Sequence, residues 1–218
     1  GRTGTRPRRG TRRLASGRGA DGDLDIDRTL ERLAASRPPD PADLVTRHWA
    51  ASRRAICLAV DASGSMGGRA VSVAAVAAAS VVLAEDRADP SVLAFAGDVT
   101  VLQVQDRRRE PADVVGDLIG LRGHGVTNLA EALRSASRQL ATAHADERTV
   151  VLLSDCLPTA GDDPVRALAG IDRLHVLCPA GKEDARRAAA ELSARGNGRW
   201  QPVDGLGSVA PALTGVLA

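Results

Sequence analysis

Ala55-Ile56-Cys57-Leu58-Ala59-Val60-Asp61-Ala62-Ser63-Gly64-Ser65-Met66-Gly67-Gly68 sets the reading of this chain. Six apolar residues in a row, without alternation, predict a strand buried on both faces, as in parallel sheets covered by helices on each side. The run ends on Asp61 and a Gly-rich turn, and the Ala/Val stretch that follows predicts a long helix from about Arg69 to Glu85. Strand, tight turn and helix in that order begin a β-α-β unit.

The same grammar continues outward. Ser91 to Ala96 and Val99 to Val104 read as two strands joined by Gly97-Asp98, a hairpin signal that makes one of them antiparallel. Pro111 to Ile119 reads as a short helix, Asn128 to His144 as a helix, Thr149 to Leu153 as a strand and Pro164 to Gly170 as a helix. Strand Arg173 to Cys178, helix Lys182 to Ala194, strand Arg199 to Val203 and a helix from Ser208 complete the series. Strands alternating with helices predict an α/β fold: a Rossmann-like, doubly wound, mostly parallel sheet with one antiparallel edge strand and helices on both faces.

Before this domain, assigned to residues 54–218, the composition changes. Residues 1–22 are Arg, Gly, Thr and Ser without periodic apolar positions and are expected to be a disordered tail. Residues 23–53 read as a lead-in with one short helix, since Ile26, Leu30 and Leu33 recur at helical spacing before Arg37-Pro38-Pro39. Seven of the 29 Lys+Arg residues fall in residues 1–20 with no acid among them, so the remainder of the chain is net acidic although the whole is +2. The chain opens on Gly1 rather than Met, as a piece of a longer polypeptide would.

With one Phe, two Trp and no Tyr, the chain lacks the aromatic platforms of base-stacking proteins, and nucleic acid is not expected as a partner apart from contact through the basic tail. Cys57, Cys156 and Cys178 are odd in number and form no CxxC pair, which argues against a disulfide framework or zinc ribbon. No apolar run is long enough to span a bilayer, and no partner membrane is expected. Cytoplasmic residence follows from these observations as an expectation. Gly17-Arg18-Gly19-Ala20-Asp21-Gly22 matches a dinucleotide-binding pattern in letters only, because no strand precedes it. The alternating Asp21, Asp23, Asp25 and Asp27 carry Ile26 and Arg32 where a calcium-binding EF-hand loop needs Gly and Glu.

In a doubly wound sheet, ligands bind at the carboxyl ends of the strands. Asp61, Ser63 and Ser65 occupy alternate positions at one such end, Thr127 stands in the turn before a helix, and Asp155 ends another strand. Carboxylates and hydroxyls are hard ligands, suited to Mg²⁺, Mn²⁺ or Ca²⁺ rather than zinc or copper. Two carboxylates about 4 Å apart would repel by about 4 kcal/mol at an effective dielectric of about 20, which a dication reverses. Taken singly, each residue also has a plain structural role open to it: an ion pair of Asp61 with Arg69, or helix capping by Asp61, Thr127 and Asp155.

Asp61-Ala62-Ser63-Gly64-Ser65 resembles the D-x-S-x-S metal-ion-dependent adhesion site of von Willebrand factor A (VWA) domains. Gly125-Val126-Thr127-Asn128-Leu129 is similar to that family's threonine loop, and Leu153-Ser154-Asp155 to its third, aspartate loop. The resemblance spans roughly Arg54 to the C-terminus. It implies that Ser63, Ser65 and Thr127 bind the metal through hydroxyl oxygens, that Asp61 and Asp155 act directly or through water, and that an acidic residue of a protein partner completes the shell. One departure is Asp155-Cys156, where the family usually has Asp-Gly.

Within the family, the Asp23-Leu24-Asp25-Ile26-Asp27 lead-in and Arg-rich approach look most like bacterial CoxE and magnesium-chelatase D proteins, which work beside MoxR-like or chelatase-type AAA+ ATPases. The only Lys is Lys182 and no Walker motif occurs, so such an ATPase would be another chain. The expected function is a non-enzymatic, metal-dependent protein-interaction module. The alternative is a metal-dependent enzyme or chelatase subunit with phosphoryl-transfer or metal-insertion chemistry. Against it, position 63 is Ser where an aspartyl-phosphate phosphatase uses a second carboxylate, and Ser65 has no evident His base.

Overall fold

The computed structural model describes residues 12–18, 23–35, 43–51, 53–64, 67–84, 90–121, 125–179 and 181–217. The chain divides into two compact units, Gly1–Ser52 and Arg53–Ala218.

In the first unit, β1 (Arg12–Arg18), β2 (Asp23–Leu24) and β3 (Val45–Ala51) form an antiparallel sheet in the order β1-β3-β2. β1 falls within residues 1–22, the stretch read from the sequence as a tail. Its Arg/Gly/Ser composition offers no apolar period, but pairing with β3 from Arg12↔Ala51 to Arg18↔Val45 satisfies the backbone directly. The lead-in helix is α1 (Ile26–Ala35). Asp25, one of the alternating aspartates, is buried at its start, accepting from Arg28 N at 3.3 Å and from Arg47 Nε at 2.7 Å. The Arg47 hydrogen bond chiefly holds the Asp25 carboxyl below the usual aspartate range.

The second unit is the α/β domain. β4 (Arg54–Asp61), β5 (Ser91–Phe95), β6 (Val99–Gln103), β7 (Glu147–Leu153), β8 (Arg173–Pro179) and β9 (Trp200–Val203) form one sheet in the order β6-β5-β4-β7-β8-β9. Every pair is parallel except β5–β6, the hairpin turned at 96–98, which leaves β6 as an antiparallel edge. The helices are α2 (Gly67–Ala84), α3 (Pro111–Gly120), α4 (Leu129–Ala141), α5 (Glu183–Arg195) and α6 (Leu206–Leu217). The helix expected from Pro164 to Gly170 is a 3₁₀ helix, Pro164–Leu168, capped by Asp163.

Alternation along β4 feeds two cores. Ile56, Leu58 and Val60 join the cluster that includes α2, α3 and α6 residues such as Ala77, Val114 and Val209. Ala55, Cys57 and Ala59 join the opposite cluster with Leu133 of α4 and Ala189 of α5. Helices therefore cover both faces, and every β4 residue from Ala55 to Asp61 is buried. β4 lies between β5 and β7, so the chain winds away from its carboxyl end in two directions. That divergence opens the crevice where ligands of such sheets bind.

Candidate functional site

Asp61 is the last residue of β4 and is 1% exposed. Its Oδ1 accepts from Ser63 N at 2.9 Å, which folds the loop back over the strand end and buries Ser63 as well. Its Oδ2 accepts from the Ser154 hydroxyl at 2.6 Å. Burial pushes the Asp61 carboxyl above the usual aspartate range, the nearby Asp155 charge adds to that, and the Ser154 and Ser63 donors oppose it. No described residue forms an ion pair with either Asp61 or Asp155.

Thr127 is buried just before α4. Gly125, two residues earlier, takes φ +87°, a turn that L side chains rarely enter. Asn128, not Thr127, caps the helix, its Oδ1 accepting from Glu131 N at 3.2 Å. Thr127 is instead tied to the loop beyond β7: its N–H donates to Thr159 Oγ1 at 2.8 Å, and its carbonyl accepts from Thr159 N and Ala160 N at 3.1 and 3.2 Å. Ala62 N bonds Phe95 O at 2.7 Å and Asn128 N bonds Ala96 O at 2.8 Å. The three loops are thus stitched to one another through the end of β5.

Asp155 is half-buried and shapes its own loop, Oδ1 accepting from Leu157 N at 3.1 Å. Cys156, which stands where the resembling family has Gly, adopts φ +56°. The left-handed backbone that glycine favours is therefore kept here by a residue with a Cβ. Cys156 is 4% exposed and burial raises its thiol pKa well above the ordinary range, so it behaves as a small packed group.

Of the five residues singled out from the sequence, Asp61, Ser63, Thr127 and Asp155 stand at loops joined by hydrogen bonds. Ser65 lies outside the described residues, as does the side chain of Arg69. Two contributors were not singled out: Ser154, whose partner is 93 positions away, and Thr159, which carries no local signal. No cluster of three or more His, Cys, Asp or Glu side chains able to hold a metal occurs among the described residues. A cation here would depend on hydroxyl oxygens.

A family described as VWA domain containing CoxE-like protein matches residues 2–189. The chain belongs to this family. The match takes in the first unit as well as most of the second, whereas the motifs alone carried the resemblance only from about Arg54. Among curated proteins, none matches the chain. The VWA fold is seen again in solved structures. A von Willebrand factor type A protein from Catenulispora acidiphila superposes with TM-score 0.61 at 18% identity, over 77% of this chain and 42% of that one. An aerotolerance-related membrane protein from Bacteroides fragilis gives 0.59 at 19% identity, over 75% and 98%. The manganese-loaded TRAP protein of Plasmodium vivax gives 0.57 at 12% identity, over 74% and 72%. VWA domains are modules for protein–protein interaction, often metal-dependent, and generally not enzymes. No helix among the described residues of this CoxE-like chain is long and apolar enough to cross a membrane.

Proposed function

We propose that this CoxE-like VWA chain is a metal-dependent protein-interaction module. In this reading Ser63, Ser65 and Thr127 hold one divalent cation through hydroxyl oxygens, with Asp61 and Asp155 balancing its charge directly or through water. Mg²⁺ is the proposed ion, with Mn²⁺ or Ca²⁺ as the alternatives. The observation that carries the reading is Asp61: a carboxylate 1% exposed, repelled by Asp155 and without a cationic partner among the described residues. A buried charge of that kind is unfavourable by several kcal/mol unless something positive compensates it. The donors are all oxygens, which fits a hard dication. Manganese in the TRAP protein, which shares the fold, supports the same class of ion.

When bound, the ion supplies a positive centre that attracts a carboxylate. The partner is a protein that offers an acidic residue, and in the cytoplasm we assign that role to a MoxR or chelatase-type AAA+ ATPase or the client that it remodels. The chain's own residues bind and orient; they do not turn over substrate.

Calorimetric titration of Mg²⁺ and Mn²⁺ into wild type and Asp61→Ala tests the reading. Saturable heat in the wild type that is lost in the variant is expected, with affinity down by at least about 100-fold. Equal heats in both proteins would sink it. Binding of a purified MoxR-type ATPase, retained with Mg²⁺ and released by EDTA, is the expected second result.

A further inference from the structure

We propose that Ser154 is the positioning residue of this site, tying the third loop to the first so that the Asp61 carboxylate is held in one orientation. The proposal rests on the interaction-module reading above.

β4 and β7 are parallel neighbours with Val60 opposite Leu153, so the next residues, Asp61 and Ser154, fall side by side. Ser154 is fully buried. A serine hydroxyl has one proton to give and lone pairs with which to accept. Here the proton goes to Asp61 Oδ2 at 2.6 Å, while the oxygen accepts from Cys156 N at 3.0 Å. Ser63 N holds the other carboxylate oxygen at 2.9 Å. Asp61 is therefore gripped at one oxygen by its own loop and at the other by a loop 93 residues away.

The Cys156 N–H fixes the Ser154 rotamer, because the oxygen that accepts from it is the one whose proton reaches Asp61 Oδ2. Losing that hydrogen bond frees the Ser154 rotamer. The hydroxyl then no longer holds Oδ2, and the carboxylate can rotate out of the arrangement that Ser63 and Ser154 jointly impose. Hydrogen-bond partners one step behind a metal ligand commonly control about 10–100-fold of its affinity.

Mn²⁺ titration of wild type, Ser154→Ala and Ser154→Thr, each paired with denaturation of the metal-free protein, tests the assignment. Ser154→Ala is expected to bind Mn²⁺ at least about tenfold more weakly, and its metal-free unfolding midpoint is expected to fall as well, because Asp61 Oδ2 and Cys156 N lose their partner. Ser154→Thr, which keeps the hydroxyl, is expected to restore wild-type affinity. Ser154→Ala binding as tightly as wild type overturns the proposal, and so does a stably folded Ser154→Thr that binds as weakly as Ser154→Ala. Should Ser154→Ala not fold, Ser154→Cys replaces the strong donor with a weak one and is read in the same way. Wild type without any Mn²⁺ binding removes the interaction-module reading and this proposal with it; wild-type binding with an unaffected Ser154→Ala removes this proposal alone.

Discussion

At the amino ends of the central strands, Glu147 forms an ion pair with Arg54 Nε at 2.8 Å and accepts from Arg173 Nε at 3.0 Å. At the carboxyl ends, Asp61 is more deeply buried, yet it meets only neutral donors from the described residues and the repulsion of Asp155. Both carboxylates belong to one continuous pair of strands. The arginine-paired end is electrostatically complete within the chain. The opposite end has no such pairing among the described residues, and the contrast separates a carboxylate neutralised by arginines from one that meets neutral donors alone.

The largest test of this contrast concerns His175, at the paired end. It is buried, its Nδ1 accepts from Arg199 N at 3.1 Å, and burial together with Arg173, Arg54 and Arg199 lowers its pKa from 6.5 to about 4. A depressed folded-state pKa means that the unfolded chain takes up the proton first. Stability is therefore full above about pH 6.5 and declines as the pH falls toward 4, by about 2 kcal/mol. Urea denaturation across that window checks it. His175→Asn, which keeps an acceptor for Arg199 N, should remove most of the slope, and parallel slopes in both proteins would assign the loss elsewhere.

Neutralising a carboxylate at each end should then give opposite signs. Glu147→Gln leaves two guanidiniums short of their counter-charge and should destabilise the protein by about 1–2 kcal/mol. Asp61→Asn removes a buried charge while keeping an acceptor for Ser63 N, so the metal-free protein should gain about 1 kcal/mol. Denaturant midpoints without metal measure both; loss of stability in both variants would erase the distinction between the two ends.

The smallest effect lies at Cys156. Glycine there relieves the left-handed strain but loses a packed thiol and adds freedom to the unfolded chain, so Cys156→Gly should stay within about 0.5 kcal/mol of wild type. Cys156→Ala loses the thiol and keeps the strain. It should be the less stable of the two by about 1 kcal/mol in thermal or chemical denaturation.

Much of the α/β unit was legible because its signals are local. The unbroken run from Ala55 to Val60 can only be a strand covered on both faces, and Gly97-Asp98 marks a turn whatever surrounds it. Asp61 and Asp155 could be singled out because they follow buried strands, Ser63 because it alternates with Asp61, and Thr127 because it stands in the turn before a helix. What escaped was non-local. β1 exists through its ladder with β3 and leaves no apolar period in Arg12–Arg18. Ser154 looks like an ordinary residue before an aspartate until β4 and β7 align. Pro164 and Asp163 announced a helix start, but nothing in the five residues 164–168 told a 3₁₀ turn from an α-helical one.

The stitching of the three loops through Ala62–Phe95, Asn128–Ala96 and Thr127–Thr159 has a bearing on biogenesis. No two of these segments are adjacent in the chain, so the corner they build comes into being only after β4, β5 and β7 have assembled. Anything that binds there selects finished molecules over partly folded ones. At a concentration 100 times its Kd, such a ligand would add about 2.7 kcal/mol to the folded state and so act as a lock on maturation.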